Sequence, residues 1–104
     1  MNIQIDNHGL IYLGRKEPLK PIPEEELEAA RKWLKDHATP IKSINYKHSS
    51  YGWKHVAEKI VGTYVSNGAL LKAAQELGFT IKPMRDRCLN AYINISEKSY
   101  RNHI

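Results

Sequence analysis

Three prolines within six residues, Pro18, Pro21 and Pro23, divide this 104-residue chain more firmly than any other feature in it. Proline has no backbone N–H and a fixed φ, so the stretch 14–23 reads as an extended connector that neither a helix nor a central strand can absorb. On its N-terminal side, Asn2-Ile3-Gln4-Ile5 alternates polar and apolar residues, Asp6-Asn7-His8-Gly9 supplies turn formers, and Leu10-Ile11-Tyr12-Leu13 has strand character. That order predicts a hairpin. On the other side Pro23 presets a helical φ, and Glu24, Glu25 and Glu26 place negative charge where a helix dipole is positive. Leu27, Ala30, Trp33 and Leu34 recur at helical spacing, Glu28 is one turn from Lys32, and Pro40 stops continuation. A first helix is therefore expected over 23–37.

Two more helices follow. Ser49 or Ser50 can cap one whose apolar face is Trp53, Val56, Ala57, Ile60 and Val61, closing near Gly62. Ser66 or Asn67 can cap another, in which Leu70, Ala73, Ala74 and Leu77 form the stripe and Gly78 suits a left-handed cap. Phe79-Thr80-Ile81 and Ala91 to Ile95 read as strands joined by a polar segment, and 96–104 shows no clear period. The expected fold class is α+β: an N-terminal hairpin, three helices and a C-terminal hairpin in one domain over 1–104. The order of three helices before a hairpin resembles winged-helix proteins, a likeness of fold and not of function.

The length supports one core and not two. With 41% hydrophobic and 26% charged residues the usage is that of a globular chain. No apolar run approaches the ~18 residues of a membrane span, and the N-terminus lacks a secretory pattern. A single cysteine, Cys88, forms no intrachain disulfide, which suits a reducing, cytoplasmic setting. The net charge of +5 is unevenly spread: residues 24–37 carry −2, residues 38–64 carry +3 and residues 79–104 carry +3.

The segment from Lys42 to His55 interleaves Lys42, Lys47 and Lys54 with Tyr46, Tyr51, Trp53, two histidines and three serines. Nucleic-acid binding uses this mixture, since lysines neutralise phosphates and aromatic faces stack on exposed bases. Core or rim aromatics with a solvated lysine face are the plainer explanation of the segment by itself, because charge and aromatic enrichment are common and unspecific. Lys59 extends the basic run, and Arg85, Asp86 and Arg87 lie between the last two strands, where a wing would project. The third helix would face outward with Asn67, Lys72, Gln75 and Glu76, a poor set for reading bases, so backbone contacts are the expected mode. His37, His48 and His55 lack metal-ligand spacing, and no glycine pattern resembles a phosphate loop. Tyr51, His55 and Glu58 form a row at i, i+4 and i+7, which a capped helix face explains without catalysis. No metal, cofactor or catalytic set is expected.

Ser50-Tyr51-Gly52-Trp53-Lys54-His55, Tyr64-Val65-Ser66-Asn67-Gly68-Ala69 and Ala73-Ala74 resemble a pattern found in short proteins of bacterial phages and other mobile elements, over about residues 40–96. The resemblance brings no activity and no functional residue with it. It implies either a small regulator that binds nucleic acid or a small inhibitor that binds a host protein. The first expectation is a non-catalytic nucleic-acid-binding protein that contacts a DNA or RNA backbone through Lys42, Lys47, Tyr51, Lys54, Lys59, Arg85 and Arg87. The alternative is a protein-binding, anti-CRISPR-like inhibitor of a host defence system. Neither involves a membrane.

Overall fold

A computed structural model describes residues 3–85 and 87–101. Asn2, Asp86 and the terminal residues 102–104, which entered the sequence reading, lie outside the described residues. The elements are β1 (Ile5–Asp6), β2 (Gly9–Leu10), α1 (Glu24–His37), β3 (Pro40–Asn45), α2 (Ser50–Val61), α3 (Asn67–Glu76), β4 (Ile81–Pro83), β5 (Ala91–Ile95) and α4 (Glu97–Arg101). The fold is α+β, with the N-terminal hairpin, the three helices and the C-terminal strand pair in the expected order.

Local signals account for the helix ends. Pro23, expected as the first helical residue, is the N-cap of α1, so the helix starts one residue later than predicted, and Glu24, Glu25 and Glu26 fill the first turn. Ser49 caps α2 by accepting from the Gly52 N–H, and Gly62 ends the helix at φ +81. Ser66 caps α3 through the Ala69 N–H. Within α1 the expected Glu28–Lys32 pair does not form. Arg31 collects Glu24, Glu28 and Glu76 instead, while Lys32 reaches Asp36 at 3.5 Å.

The strands depart further from expectation. The hairpin is short, with Ile5 opposite Leu10 and Asp6 opposite Gly9. The C-terminal pair gains a third strand, giving the antiparallel order β3-β5-β4. β3 escapes a period-two search because its register slips: Pro40 faces Ile95, yet Asn45 faces Ile93. A bulged edge strand exposes most of its residues and loses the alternation that marks a half-buried one. β4 begins at Ile81, two residues later than predicted, and α4 is a short helix in the stretch that showed no period.

α3 is the central element, packed against α1, α2, the hairpin and β4. Seven of its ten residues are buried, Asn67 among them. A helix enclosed in this way cannot enter a nucleic-acid groove, so the outward role expected for Asn67 is corrected. The core around α3 joins Trp33 and Leu34 of α1, Trp53 and Ala57 of α2, and Ile93 and Ile95 of β5, all essentially inaccessible. The Trp33 and Trp53 rings lie 5.9 Å apart between centroids, and burial of each indole stabilises the fold by about 3 kcal/mol or more. Ile60, expected on the apolar face of α2, is exposed. Among the described residues no helix is long and apolar enough to cross a membrane.

Candidate nucleic-acid interface

The hairpin reaches the rest of the protein through backbone groups. Gly68 in the first turn of α3 donates its N–H to Asn7 O at 3.2 Å, and Leu10 N donates to Leu89 O at 2.9 Å. Between these contacts sits Asn67, whose Nδ2 donates to both His8 O and Leu89 O at 3.1 Å. One side-chain amide thus braces the hairpin turn against the β4–β5 loop. On the opposite side, Ser50 Oγ accepts from Ala91 N at 3.1 Å and joins the start of α2 to the start of β5.

The connector is held as firmly. The carboxylate of Asp6 accepts from Arg15 Nη1 at 2.8 Å, from Arg15 Nη2, from His8 N at 3.0 Å and from Lys20 N at 3.0 Å. Asn7 N donates to Lys20 O at 2.8 Å. The Arg15 and Asp6 side chains are only 2% and 7% exposed. The Arg15 guanidinium holds the Asp6 carboxyl well below the ordinary carboxylate range, against the opposing effect of burial. The strap from Gly14 to Pro23 is thereby fixed against the hairpin at Lys20, whose backbone is bonded on both sides while the residue remains exposed.

These ties leave a cleft of about 650 Å³ where four segments meet. Asn7, His8 and Tyr12 of the hairpin and Lys20 of the strap line one side; Tyr51 and Lys54 of α2 line another. Tyr64 and Ser66 from the α2–α3 loop, with Asn67, contribute the third, and Arg87, Cys88, Leu89 and Asn90 of the β4–β5 loop the fourth. Among the described residues the lining contains three cations and three tyrosines and no carboxylate. Arg87 stands in the left-handed region at φ 59, an uncommon position for a residue with a Cβ.

Lys54 is not the free surface cation that the sequence suggested. It is 4% exposed, and its Nζ lies 3.0 Å from Glu58 Oε1. The same ammonium sits 5.2 Å from the centroid of the Tyr51 ring and 4.6 Å from that of Tyr64. Cation–π attraction draws both rings to one buried charge. Tyr51 and Tyr64 are 51% and 61% exposed as residues, so each keeps a free surface. Lys54 organises an aromatic platform, and its own charge is largely balanced by Glu58.

The structure therefore divides the expected basic face. Tyr51, Lys54 and Arg87 converge on the cleft. Lys59 lies one turn further along α2, in an adjoining depression with His55, Glu58, Thr63 and Tyr64. Lys42 on β3, Lys47 beyond it and Arg85 in the β4–β5 loop are exposed and line neither recess. Lys47 N donates to Asn45 Oδ1 at 2.9 Å. The sequence reading missed His8, Tyr12, Lys20, Tyr64 and Asn90. Only their membership in turn-rich or loop segments hinted at them, because surface loops carry much of the binding chemistry of proteins.

The row on α2 forms as spaced, with Tyr51 edge-on to His55 and His55 Nδ1 at 3.4 Å from Glu58 Oε2. His48 lies elsewhere, stacked on Tyr100 at 3.7 Å with its Nε2 2.8 Å from Glu97 Oε2. Hydrogen bonding from His48, aided by Asn45, lowers the Glu97 pKa. Cys88 and Tyr51 share the cleft, whereas His55 and Glu58 face the neighbouring depression and His48 faces α4. Comparison with protein-family models, with curated proteins and with solved structures returns no match to this chain.

Proposed function

We propose that this protein is a non-catalytic binder of single-stranded nucleic acid that holds the strand in the four-sided cleft. The carrying observation is the composition of the lining: Lys20, Lys54 and Arg87 beside Tyr12, Tyr51 and Tyr64, with no carboxylate among the described residues. Cations that track phosphates and aromatic faces that accept bases are the two ingredients of sequence-tolerant single-strand binding. A concave recess of this size receives an unstacked nucleotide, while the width of a duplex keeps paired bases away from its floor. Lys20 and Arg87, both exposed, meet the phosphates; Tyr51 and Tyr64 meet the bases; Lys54 holds the two rings.

The segments that resemble phage and mobile-element proteins, Ser50 to His55 and Tyr64 to Ala69, supply Tyr51, Lys54, Tyr64, Ser66 and Asn67 of this cleft. That coincidence favours a small regulator of such an element, acting in the reducing cytoplasm where the half-buried thiol of Cys88 stays free.

The test is fluorescence anisotropy with labelled single-stranded and duplex DNA and RNA at ~50 and ~200 mM salt. Single strands bind more tightly than duplexes. Replacing both Lys20 and Arg87 with Gln lowers the slope of log affinity against log salt by about 1.4, since each single-strand phosphate contact contributes about 0.7. Tyr64→Ala weakens binding by about 1–3 kcal/mol and leaves the slope unchanged. Equal affinity for duplex and single strand, or no binding at low salt, refutes the proposal and turns the search toward a protein partner.

A further inference from the structure

Tyr64 lines both recesses: the four-sided cleft and the depression of about 510 Å³ formed with His55, Glu58, Lys59, Gly62 and Thr63. The two therefore adjoin at one half-exposed ring. They also follow one another along a single helix. Tyr51 and Lys54 face the cleft, and His55, Glu58 and Lys59, one to five residues beyond Lys54, face the depression. From Tyr51 to Glu58 the axis of α2 rises about 10 Å. Nucleotides of a stacked strand advance about 3.4 Å each, so this length matches about three of them.

We infer that the strand does not end in the cleft but crosses the Tyr64 ring into a second subsite, where Lys59 receives the next phosphate beside His55 and Thr63. This inference rests on the cleft reading and extends it, because it commits the ligand to be an oligonucleotide and not a mononucleotide or an isolated strand end. The chemistry of the depression agrees. Thr63 has a hydroxyl suited to a phosphate oxygen, and His55 offers an exposed ring. Glu58, the one acid there among the described residues, is engaged by Lys54 Nζ at 3.0 Å and by His55 Nδ1 at 3.4 Å, so its charge is answered locally. Lys59 has an exposed position in the last turn of α2.

The experiment is a length series of labelled oligodeoxythymidylates, from the dinucleotide to about eight nucleotides, titrated with the intact protein and two variants. Lys59→Gln removes the proposed phosphate contact. Lys35→Gln removes the same charge from an exposed position on α1 and controls for net charge. For the unaltered protein, affinity rises with length to about five nucleotides and then levels. Lys59→Gln weakens the longer oligonucleotides several-fold and lowers their salt slope by about 0.7, and it leaves the dinucleotide unaffected. Lys35→Gln matches the unaltered protein at every length.

The path is overturned if Lys59→Gln and Lys35→Gln behave alike on long oligonucleotides, or if the dinucleotide binds as tightly as the longest one; in both cases the cleft reading stands. Failure of the unaltered protein to bind any length removes the cleft reading and the path with it. Both lysines are exposed, and matching circular dichroism spectra confirm that the variants are folded.

Discussion

Alanine at Gly68 gives opposite signs for an isolated helix and for this fold. In the first turn of an otherwise unencumbered α3, alanine would stabilise by up to about 1 kcal/mol through helix propensity. Here a Cβ at residue 68 would lie 1.6 Å from Asp6 O, 2.6 Å from Asp6 C and 2.8 Å from Asn7 C, all backbone atoms. Carbon and oxygen need well over 3 Å, so the hairpin must retreat by roughly 2 Å. That movement breaks the Gly68 N to Asn7 O bond and one arm of the Asn67 brace, each worth about 1 kcal/mol, and overpacking adds about 1–3 kcal/mol. Allowing for propensity, the net loss is about 2–4 kcal/mol, or a fall in Tm of roughly 10–25 °C for a chain of this size. Thermal unfolding followed by circular dichroism measures it. Gly62→Ala is the reference: its φ is +81, but nothing lies within 4 Å of the added atom, so it loses about 1 kcal/mol. A Gly68→Ala protein as stable as the unaltered one, or less affected than Gly62→Ala, refutes the close docking of hairpin on α3. Without that docking the wall carrying His8, Tyr12 and Lys20 has no fixed place opposite α2.

Three further outcomes follow from the polar ties. Asp6→Asn takes from the buried Arg15 guanidinium its nearest carboxylate, leaving it the half-exposed Glu17 at 3.7 Å from Nε, and destabilises by about 3 kcal/mol in urea unfolding at neutral pH; a change under about 0.5 kcal/mol would contradict the burial of the pair. Because the folded pKa of Asp6 is depressed, its stabilisation is complete above the unfolded value near 4 and is lost as pH falls through that value toward the lower folded one, so the pH dependence of stability between about 5 and 2 is shallower in Asp6→Asn. Asn67→Asp sets a carboxylate against the carbonyls of His8 and Leu89 and is more destabilising than Asn67→Ala, which only removes the two bonds; the reverse order in a denaturant titration would remove Asn67 as the brace. Glu97 also has a depressed pKa, so its hold on His48 is present above the unfolded value and weakens as pH falls below about 4. Glu97→Gln speeds amide exchange in α4 at neutral pH, and unchanged exchange there would show that the pair does not anchor the helix.

What the sequence disclosed and what it withheld divide along the range of the forces involved. α1, α2 and α3 were legible because caps, glycine stops and apolar stripes act within a few residues: Ser49, Gly62 and Ser66 do their work where the pattern placed them. β3 was illegible because its bulge against β5 erases alternation, and α4 because its support comes from Asn45, His48 and Thr39, about 50–60 residues away. The cleft shows the same limit more sharply. Tyr51 and Arg87 stand out by their chemistry and do line one cleft, but Lys20 does not stand out, because it sits in a proline-rich strap whose position is fixed by long-range ties of Arg15 and of its own backbone to Asp6 and Asn7. Lys54 reads in the sequence as a phosphate contact and serves otherwise, since a lysine four residues ahead of the Glu58 it pairs with and ten ahead of Tyr64 looks the same in sequence as one in solvent. Charge and aromatic content along the chain identify the ingredients of a binding surface. Which cations remain free to meet a phosphate is decided by the carboxylates brought to them in space, and in this fold those are Asp6 for Arg15 and Glu58 for Lys54, leaving Lys20, Arg87 and Lys59 as the exposed cations around the two recesses.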